Sequence, residues 1–300
     1  MTDVTPSLTT ELDARAQGNA RAVKTPSGRV GLYDPRNEHD ACGVGFIAQM
    51  KNVKSHQIVV DGLKMLENLT HRGAVGADPL MGDGAGVLVQ IPDRFFRREM
   101  AAQSVVLPAA GEYAVGHWFM PQDEATRSHV EDVIRESAAS EGVPLVGSRD
   151  VPVDNSSLSK APDIAAAEPV HRQFFFGRPS DVASDDEYER RLYILRKVVS
   201  GRLYQEHDNK DIGAYCVSLS SRTIVYKGMF LAYQVGAYYR DLADPEFESA
   251  LILVHQRFST NTFPSWKLAH PYRMVAHNGE INTVRGNVNW MAARQASVDS

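Results

Sequence analysis

The 300-residue sequence has only two cysteines, Cys42 and Cys216, and they lie far apart. Such a pair cannot form a disulfide framework, and the Cys-x-x-Cys spacing of many zinc sites is missing, so we predict no metal site. No apolar run reaches the roughly 20 residues that a membrane helix needs. A net charge of −5 provides no excess of basic residues for binding nucleic acid or an anionic membrane.

Two further patterns are missing. No apolar segment of the kind found in signal peptides follows the N-terminus, which carries Asp3, Glu11 and Asp13, so we expect no signal peptide. With only two distant cysteines, a reducing cytosol is the simplest compartment, and we expect a cytoplasmic protein. No G-x-x-x-x-G-K-[ST] phosphate loop occurs either, and the glycine-dense stretch GDGAG at residues 82–86 has no lysine. A tight approach of backbone segments is the better interpretation of these glycines.

The chain changes character at Cys42. Residues 1–41 are rich in Thr, Ser, Asp, Arg, Ala and Pro and poor in aliphatic residues, which is typical of a segment that buries little surface. Residues 44–50, VGFIAQM, then have the composition of a buried strand. We therefore predict a leader over residues 1–41 and a folded domain over residues 42–300.

Apolar spacing predicts three helices and several strands in this domain. The helices cover residues 57–73, where Gly73 is expected to end the helix as its C′ residue, 123–142, which also ends in a glycine, and 185–205. The strands cover residues 44–50, 84–91, 250–260 and 272–281, with a hairpin over 213–228 that turns at 220–222. Residues 154–169 are predicted to be a loop.

The assignment also predicts the surroundings of particular side chains. In the helix over 185–205, the spacing places Tyr188, Leu192, Leu195 and Val199 on one face. Cys216 lies among apolar neighbours in a predicted strand and is interpreted as a packed small hydrophobic residue. Helices and strands come in groups rather than in strict alternation, which favours a layered α+β fold over a doubly wound sheet.

Cys42 has two possible interpretations. A cysteine ahead of a strand can be an ordinary buried residue, and it can also be a nucleophile. If the chain were cut between Ala41 and Cys42, the new α-amino group would lie beside the thiol. With an unperturbed pKa of about 8, this amine could accept the thiol proton near neutral pH. A nucleophile of this type would explain a leader that ends at the cysteine.

Two polar stretches follow predicted strands. In HQRFSTNT, Arg257 offers a forked guanidinium suited to a carboxylate and Thr260 adds a hydroxyl, although a surface loop would have the same composition. In AHNGEIN, the Asn278 side-chain amide and the Gly279 backbone N–H could form a two-donor oxyanion hole, and the alternative is a simple turn. Arg72, in the glycine-rich region, could reach a neighbouring active site.

Four stretches in this order carry a family resemblance: ACGVGFIA, LTHRGAVGADPLMGDGAG, HQRFSTNTFPSW and RMVAHNGEINTVRGNVNWM. They resemble the N-terminal glutamine amidotransferase domain of the glutamate synthase large subunit, from about residue 30 to the last residue. That domain is similar to the other class II amidotransferases, so the resemblance implies the N-terminal-nucleophile hydrolase fold, a four-layer α/β/β/α sandwich. The last stretch is specific to glutamate synthase within the class.

The resemblance also implies roles for single residues. A propeptide ends at Ala41, and its removal makes Cys42 the N-terminal nucleophile that attacks the side-chain amide of L-glutamine. Asn278 and Gly279 match the oxyanion hole of the family. Ammonia leaves, and water hydrolyses the glutamyl thioester.

The substrate-binding residues follow from the same resemblance. Arg257, with Thr260 beside it, matches the arginine that holds the α-carboxylate of glutamine, and Arg72 matches an arginine near the nucleophile. The family aspartate that binds the α-amino group is expected beyond the NWM motif. The sequence reaches Ser300 without it, so we expect a chain truncated inside the domain.

For a full-length protein the resemblance implies further groups outside this segment, which itself is expected to bind no cofactor. These are FMN and an iron–sulfur cluster in the remainder of the large subunit, and FAD and NADPH on a small flavoprotein subunit. Two alternatives stay open: another class II enzyme of the amidophosphoribosyltransferase or glucosamine-6-phosphate synthase type, and a catalytically silent interaction module with the same fold.

Overall fold

The computed structural model describes residues 43–73, 75, 78–256, 264–276 and 284–295. Of Arg72 and Val284 it describes the backbone alone. The chain divides by its contacts into two units, Met1–Ala41 and Cys42–Ser300, and all described residues belong to the second unit.

The described residues form eight strands and seven α-helices. The strands are β1 Val44–Ala48, β2 Ala85–Gln90, β3 Tyr113–Met120, β4 Leu145–Asp150, β5 Val170–Gly177, β6 Tyr215–Ser220, β7 Thr223–Gly228 and β8 Leu251–Gln256. The helices are α1 His56–Asn68, α2 Asp93–Ala101, α3 Glu124–Ser140, α4 Pro162–Ala167, α5 Asp185–Glu206, α6 Gln234–Tyr238 and α7 Val284–Gln295. No helix in these ranges combines the length and the apolar character that crossing a membrane requires.

The strands build two four-stranded sheets in which every pairing is antiparallel. The first sheet has the order β1-β8-β2-β7, and the second has the order β4-β5-β3-β6. Antiparallel sheets with separate groups of helices are the arrangement of an α+β protein. The predicted fold class is therefore confirmed at this level.

Helix α1 lies against β1 and β8 and approaches them closely. A Cβ atom added to Gly62 of α1 would lie 2.5 Å from Ile252 Cδ1, and one added to Gly45 of β1 would lie 2.7 Å from Met65 Sδ. Both distances are shorter than ordinary van der Waals contacts. Glycine at these two positions therefore lets the helix pack closely on both strands.

A second core lies between the second sheet and helices α3 and α5. Each helix begins at a capping side chain: Asp123 accepts a hydrogen bond from Thr126 N, and Ser184 accepts one from Glu187 N. Helix α5 buries Tyr188, Leu192, Leu195, Val199 and Leu203. The helix predicted over 185–205 and its predicted apolar face are confirmed.

The first core includes residues of both sheets together with α1 and α2, and a buried ion pair lies beside it. Arg149 of β4 donates two hydrogen bonds of 2.8 Å to the Asp241 carboxylate and a third of 2.8 Å to Gln173 Oε1. The Tyr226 hydroxyl donates a further bond of 2.9 Å to Asp241. Removing one partner of such a buried pair typically costs about 3–5 kcal/mol, so this cluster fixes how the two sheets meet.

The helix end predicted at Gly73 is wrong. Helix α1 ends at Asn68, and a separate 3-10 turn covers Thr70–Arg72. Gly73 has φ −80° and ψ 150°, an extended backbone that any residue can adopt. Its lack of a side chain has another reason, because an added Cβ would lie 2.1 Å from Gln256 Nε2.

The hairpin predicted over 213–228 is wrong in its pairing. Both strands and the turn exist, but β6 pairs with β3 and β7 pairs with β2, so the turn passes the chain from one sheet to the other.

The loop predicted over 154–169 contains α4 and a 3-10 turn at Asn155–Ser157. The strand predicted from residue 272 is absent over residues 272–276, where Tyr272 N donates to Val275 O in a turn.

Two histidines lie side by side between the sheets. His117 Nε2 is 3.3 Å from His171 Nδ1, and His117 Nδ1 is 2.8 Å from Val225 O. Burial lowers the pKa of His117 to about 4 and lowers the pKa of His171 well below its ordinary value. Both rings are therefore neutral in the folded protein near pH 7.

Acidification from pH 7 to pH 5 is expected to reduce the free energy of unfolding by about 2 kcal/mol through His117 alone. An unfolded histidine, with a pKa of about 6.5, takes up a proton in this range, whereas the buried ring does so only near its lower pKa, so the unfolded state binds more protons. Urea unfolding at pH 5, 6 and 7 measures the effect.

A pair of variants isolates this contribution. His117→Gln should flatten the pH dependence, and His129→Gln, which alters a histidine with a 45% exposed side chain, should keep it. An unchanged pH dependence in His117→Gln would contradict the assignment.

Candidate active site

The pairing of β1 with β8 joins two of the family-like stretches. Gln256 N donates a hydrogen bond of 2.7 Å to Gly43 O, and Val44 lies opposite His255 in the register of the two strands. Gly43 directly follows Cys42, and Gln256 directly precedes Arg257. Cys42 and Arg257 lie outside the described residues. The sheet thus brings together the chain neighbours of the predicted nucleophile and of the predicted carboxylate-binding arginine.

The glycine-rich stretch reaches the same place. Arg72 belongs to the 3-10 turn, and Gly73 N donates a hydrogen bond of 3.1 Å to Thr70 O. Since an added Cβ on Gly73 would lie 2.1 Å from Gln256 Nε2, the backbone beside Arg72 lies against the Gln256 side chain. The side chain of Arg72 itself is outside the described part of the chain. The neighbours of three predicted site residues therefore meet around Gln256.

Thr260, Asn278 and Gly279 also lie outside the described residues. The connecting segment between their two motifs, residues 264–276, is described and is fixed to the first sheet by Lys227. Lys227 Nζ donates hydrogen bonds to Lys267 O at 2.9 Å and Ala269 O at 2.6 Å. Burial and the nearby Arg273 lower the pKa of Lys227 to about 6.

The connecting segment also explains part of the glycine-dense stretch. A Cβ added to Gly86 would lie 2.5 Å from Lys227 Cβ and 2.8 Å from His270 O. The predicted close approach of backbone segments is confirmed at this position. Gly86 lies in β2, between β8 and β7, so the connecting segment crosses the sheet where no side chain of β2 stands in its way.

Two further residues of this region, Gln256 and Lys227, are not indicated by any of the sequence motifs. Both are polar residues that are at most 1% exposed in otherwise apolar strands, LILVHQ and TIVYKG. A buried polar side chain near the end of a largely apolar strand was the available signal. It did not indicate what the side chain contacts.

The structure accounts for the chemistry of Cys216. Cys216 lies in β6, is buried, and has its Sγ 3.5 Å from Ser218 O. Burial raises the pKa of its thiol to about 12, so it carries almost no thiolate near neutral pH. Its predicted role as a packed hydrophobic residue is confirmed. Within the described ranges, no cluster of three or more His, Cys, Asp or Glu side chains is arranged to hold a metal ion.

The sequence matches the family model of the class II glutamine amidotransferases over residues 42–300. The chain belongs to this family. The match begins at the cysteine that directly precedes the Gly43–Gln256 hydrogen bond.

Relatives of this amidotransferase chain are glutamate synthases. The chain is 48% identical over 265 residues to the NADPH glutamate synthase large chain of Bacillus subtilis, covering 88% of this chain and 17% of that protein. For the Azospirillum brasilense NADPH large chain the identity is 41% over 303 residues, covering 97% of this chain and 19% of that protein. For the Saccharomyces cerevisiae NADH glutamate synthase the identity is 42% over 280 residues, covering 90% of this chain and 13% of that protein. The chain thus spans less than a fifth of the length of these relatives.

We predict that iodoacetamide at pH 8 will leave Cys216 unmodified in the folded chain, because its thiol is both enclosed and protonated. Peptide mass spectrometry after alkylation measures the modified fraction at each cysteine. The same chain unfolded in urea serves as the control, and there Cys216 should react readily. Rapid modification of Cys216 in the folded chain would contradict this description.

Proposed function

We propose that this amidotransferase chain hydrolyses the side-chain amide of L-glutamine to glutamate and ammonia, with Cys42 as an N-terminal nucleophile after removal of residues 1–41. The family match from residue 42 supports this proposal most directly. The hydrogen bond between Gln256 N and Gly43 O adds support, because it fixes the backbone next to Cys42 on the strand that leads to Arg257. After cleavage, this hydrogen bond would still hold Gly43, and with it the N-terminal Cys42, at the edge of the sheet.

The proposed reaction has two steps. The Cys42 amine takes the thiol proton, Sγ attacks the amide carbon, and the tetrahedral intermediate collapses to a thioester as ammonia leaves with a proton from the amine. Water then adds to the thioester, the amine again accepts a proton, and the thiol leaves as glutamate is released. No external oxidant or reductant takes part in these two steps.

The remaining predicted residues have binding roles in this proposal. Asn278 and Gly279 donate hydrogen bonds to the oxygen that becomes negatively charged in each tetrahedral intermediate. Arg257 binds the substrate α-carboxylate through its guanidinium, with the Thr260 hydroxyl beside it. Arg72 adds positive charge near the nucleophile.

We also propose the four-layer α/β/β/α arrangement of the N-terminal-nucleophile hydrolases. Two observations support it: the first core is shared by residues of both sheets, and a second core joins the other face of the second sheet to α3 and α5. Alternate residues of β3 divide between the cores, with Val115 and Phe119 in the first and Ala114 and Trp118 in the second.

At the level of a whole protein, we propose that the ammonia is used to convert 2-oxoglutarate to glutamate, as the names of the relatives suggest. These names include NADPH-, NADH- and ferredoxin-dependent enzymes, so the relatives take electrons from three different donors. An iron–sulfur cluster would need cysteine ligands, and two cysteines do not provide a cluster site in this segment. The proposed cluster, FMN and the flavoprotein subunit with FAD and NADPH belong outside it.

Glutaminase activity should appear only after residues 1–41 have been removed. Intact-mass measurement of the chain from its native host is expected to show a mature form that begins at Cys42, and glutaminase activity should rise with the fraction of that form. Cys42→Ala should abolish the activity, and Cys216→Ala should retain it. An active chain that still carries Met1 would exclude the N-terminal amine as the base.

Asn278→Ala is expected to lower kcat for glutamine hydrolysis by about 10²–10³-fold, because one donor to the developing oxyanion is lost. Steady-state ammonia release measures the rate. Asn289→Ala is a matched control, since Asn289 lies exposed in α7, and it should hydrolyse glutamine at the unaltered rate. Equal rates for the two variants would remove Asn278 from this role.

A further inference from the structure

The side chain of Gln256 has an unusual environment for an amide. It is 1% exposed, and its Oε1 has no hydrogen-bond partner within the part of the chain that the structure describes. A buried acceptor without a donor is costly and uncommon in native proteins. Its position, at the end of β8 directly before Arg257, suggests a donor that belongs to the active site.

The neighbours of Gln256 limit where that donor can come from. Its backbone N–H is used by Gly43 O, and its side-chain Nε2 lies against Gly73. Gly43 faces Gln256 across the two strands, and paired residues of this type have Cα atoms about 5.5 Å apart. The amine of a mature Cys42 is only three bonds from Gly43 N, which is within the reach of a glutamine side chain.

We propose that Gln256 is a positioning residue whose Oε1 accepts a hydrogen bond from the α-amino group that cleavage frees at Cys42. This inference rests on the proposed function, because the amine exists only if the leader is removed. Cleavage converts a peptide nitrogen with one N–H into an amine with two or three, so it creates the donor that Oε1 lacks. The hydrogen bond holds the amine beside the thiol and determines how readily it binds a proton.

The substitutions at Gln256 leave every other charged group of the chain in place. Arg72 and Arg257 are the cations assigned to the proposed site, and both are retained in these variants, so their effect on the proton affinity of the amine is constant across the series. His255 precedes Gln256 in β8, but successive side chains of a strand point to opposite faces, and the His255 ring stacks on His270 at 4.7 Å. A change at Gln256 therefore alters the amine without removing another charge.

The pH dependence of kcat/KM for glutamine tests the proposal, since its acid limb reports the amine that must be unprotonated to act as the base. Gln256→Met keeps the approximate length of the side chain and removes the oxygen, so the ammonium loses an acceptor and the acid limb should fall by about one pH unit. Gln256→Glu places a carboxylate there, and the limb should rise by about one unit.

The matched control is Gln90→Met. Gln90 is a strand glutamine at the other end of the same sheet, where its Oε1 accepts a hydrogen bond of 2.9 Å from Ala250 N. Loss of that bond can affect stability but should leave the acid limb in its wild-type position. A merely structural role for Gln256 would likewise leave the limb unmoved, because packing does not alter proton affinity at a distance.

Each outcome decides a separate point. Opposite shifts in Gln256→Met and Gln256→Glu support the proposal, and an acid limb that matches wild type in both variants overturns it while leaving the function of Cys42 intact. If Gln256→Met is not processed, Gln256→Glu decides alone: a raised limb supports the hydrogen bond and an unmoved limb overturns it. A wild-type chain that is active with its leader attached contradicts the proposed function instead.

Discussion

The hydrogen bond from Gln256 N to Gly43 O is the constraint on which the candidate site depends. It extends the pairing of β1 with β8, the first and last strands of the described sheets, by one residue pair. At this end of the pairing lie the first residues of two family-like stretches, ACGVGFIA and HQRFSTNTFPSW. In the order β1-β8-β2-β7, β1 is an edge strand, and all of its described pairing is with β8. The backbone after Cys42 is therefore held by a strand from the far end of the chain.

Lys227 provides the second constraint. Its Nζ holds the connecting segment through two backbone carbonyls and lies 4.3 Å from the centre of the Tyr272 ring. A pKa lowered to about 6 leaves a neutral amine at pH 7, which can still donate to both carbonyls without the cost of a buried charge. The segment between the two polar motifs is thereby fixed over β2 and β7.

The sequence predicted those parts of the fold whose pattern is local. Helix α5 was predictable because one face is apolar at helical spacing and the other faces water. Strand β3 was not, because all eight residues are buried and show no alternation, and the pairing of β6 and β7 was not, because a turn does not specify its sheet. In the proposed site, motifs indicated Cys42 and its proposed partners as candidates, but a single polar residue such as Gln256 has no spacing to reveal its contacts.

In the proposed mechanism the α-amino group of Cys42 is the general base for its own thiol, and this suits a nucleophile at the start of an edge strand. Burial lowers the pKa of His117 and His171 and their ring nitrogens are engaged in the interior, so both histidines are weak proton acceptors. An N-terminal cysteine needs no separate side chain to be brought into register, because nucleophile and base are parts of one residue. In the proposed mechanism the fold has to position only one backbone, and the hydrogen bond between Gly43 and Gln256 holds the residue next to that position in the sheet.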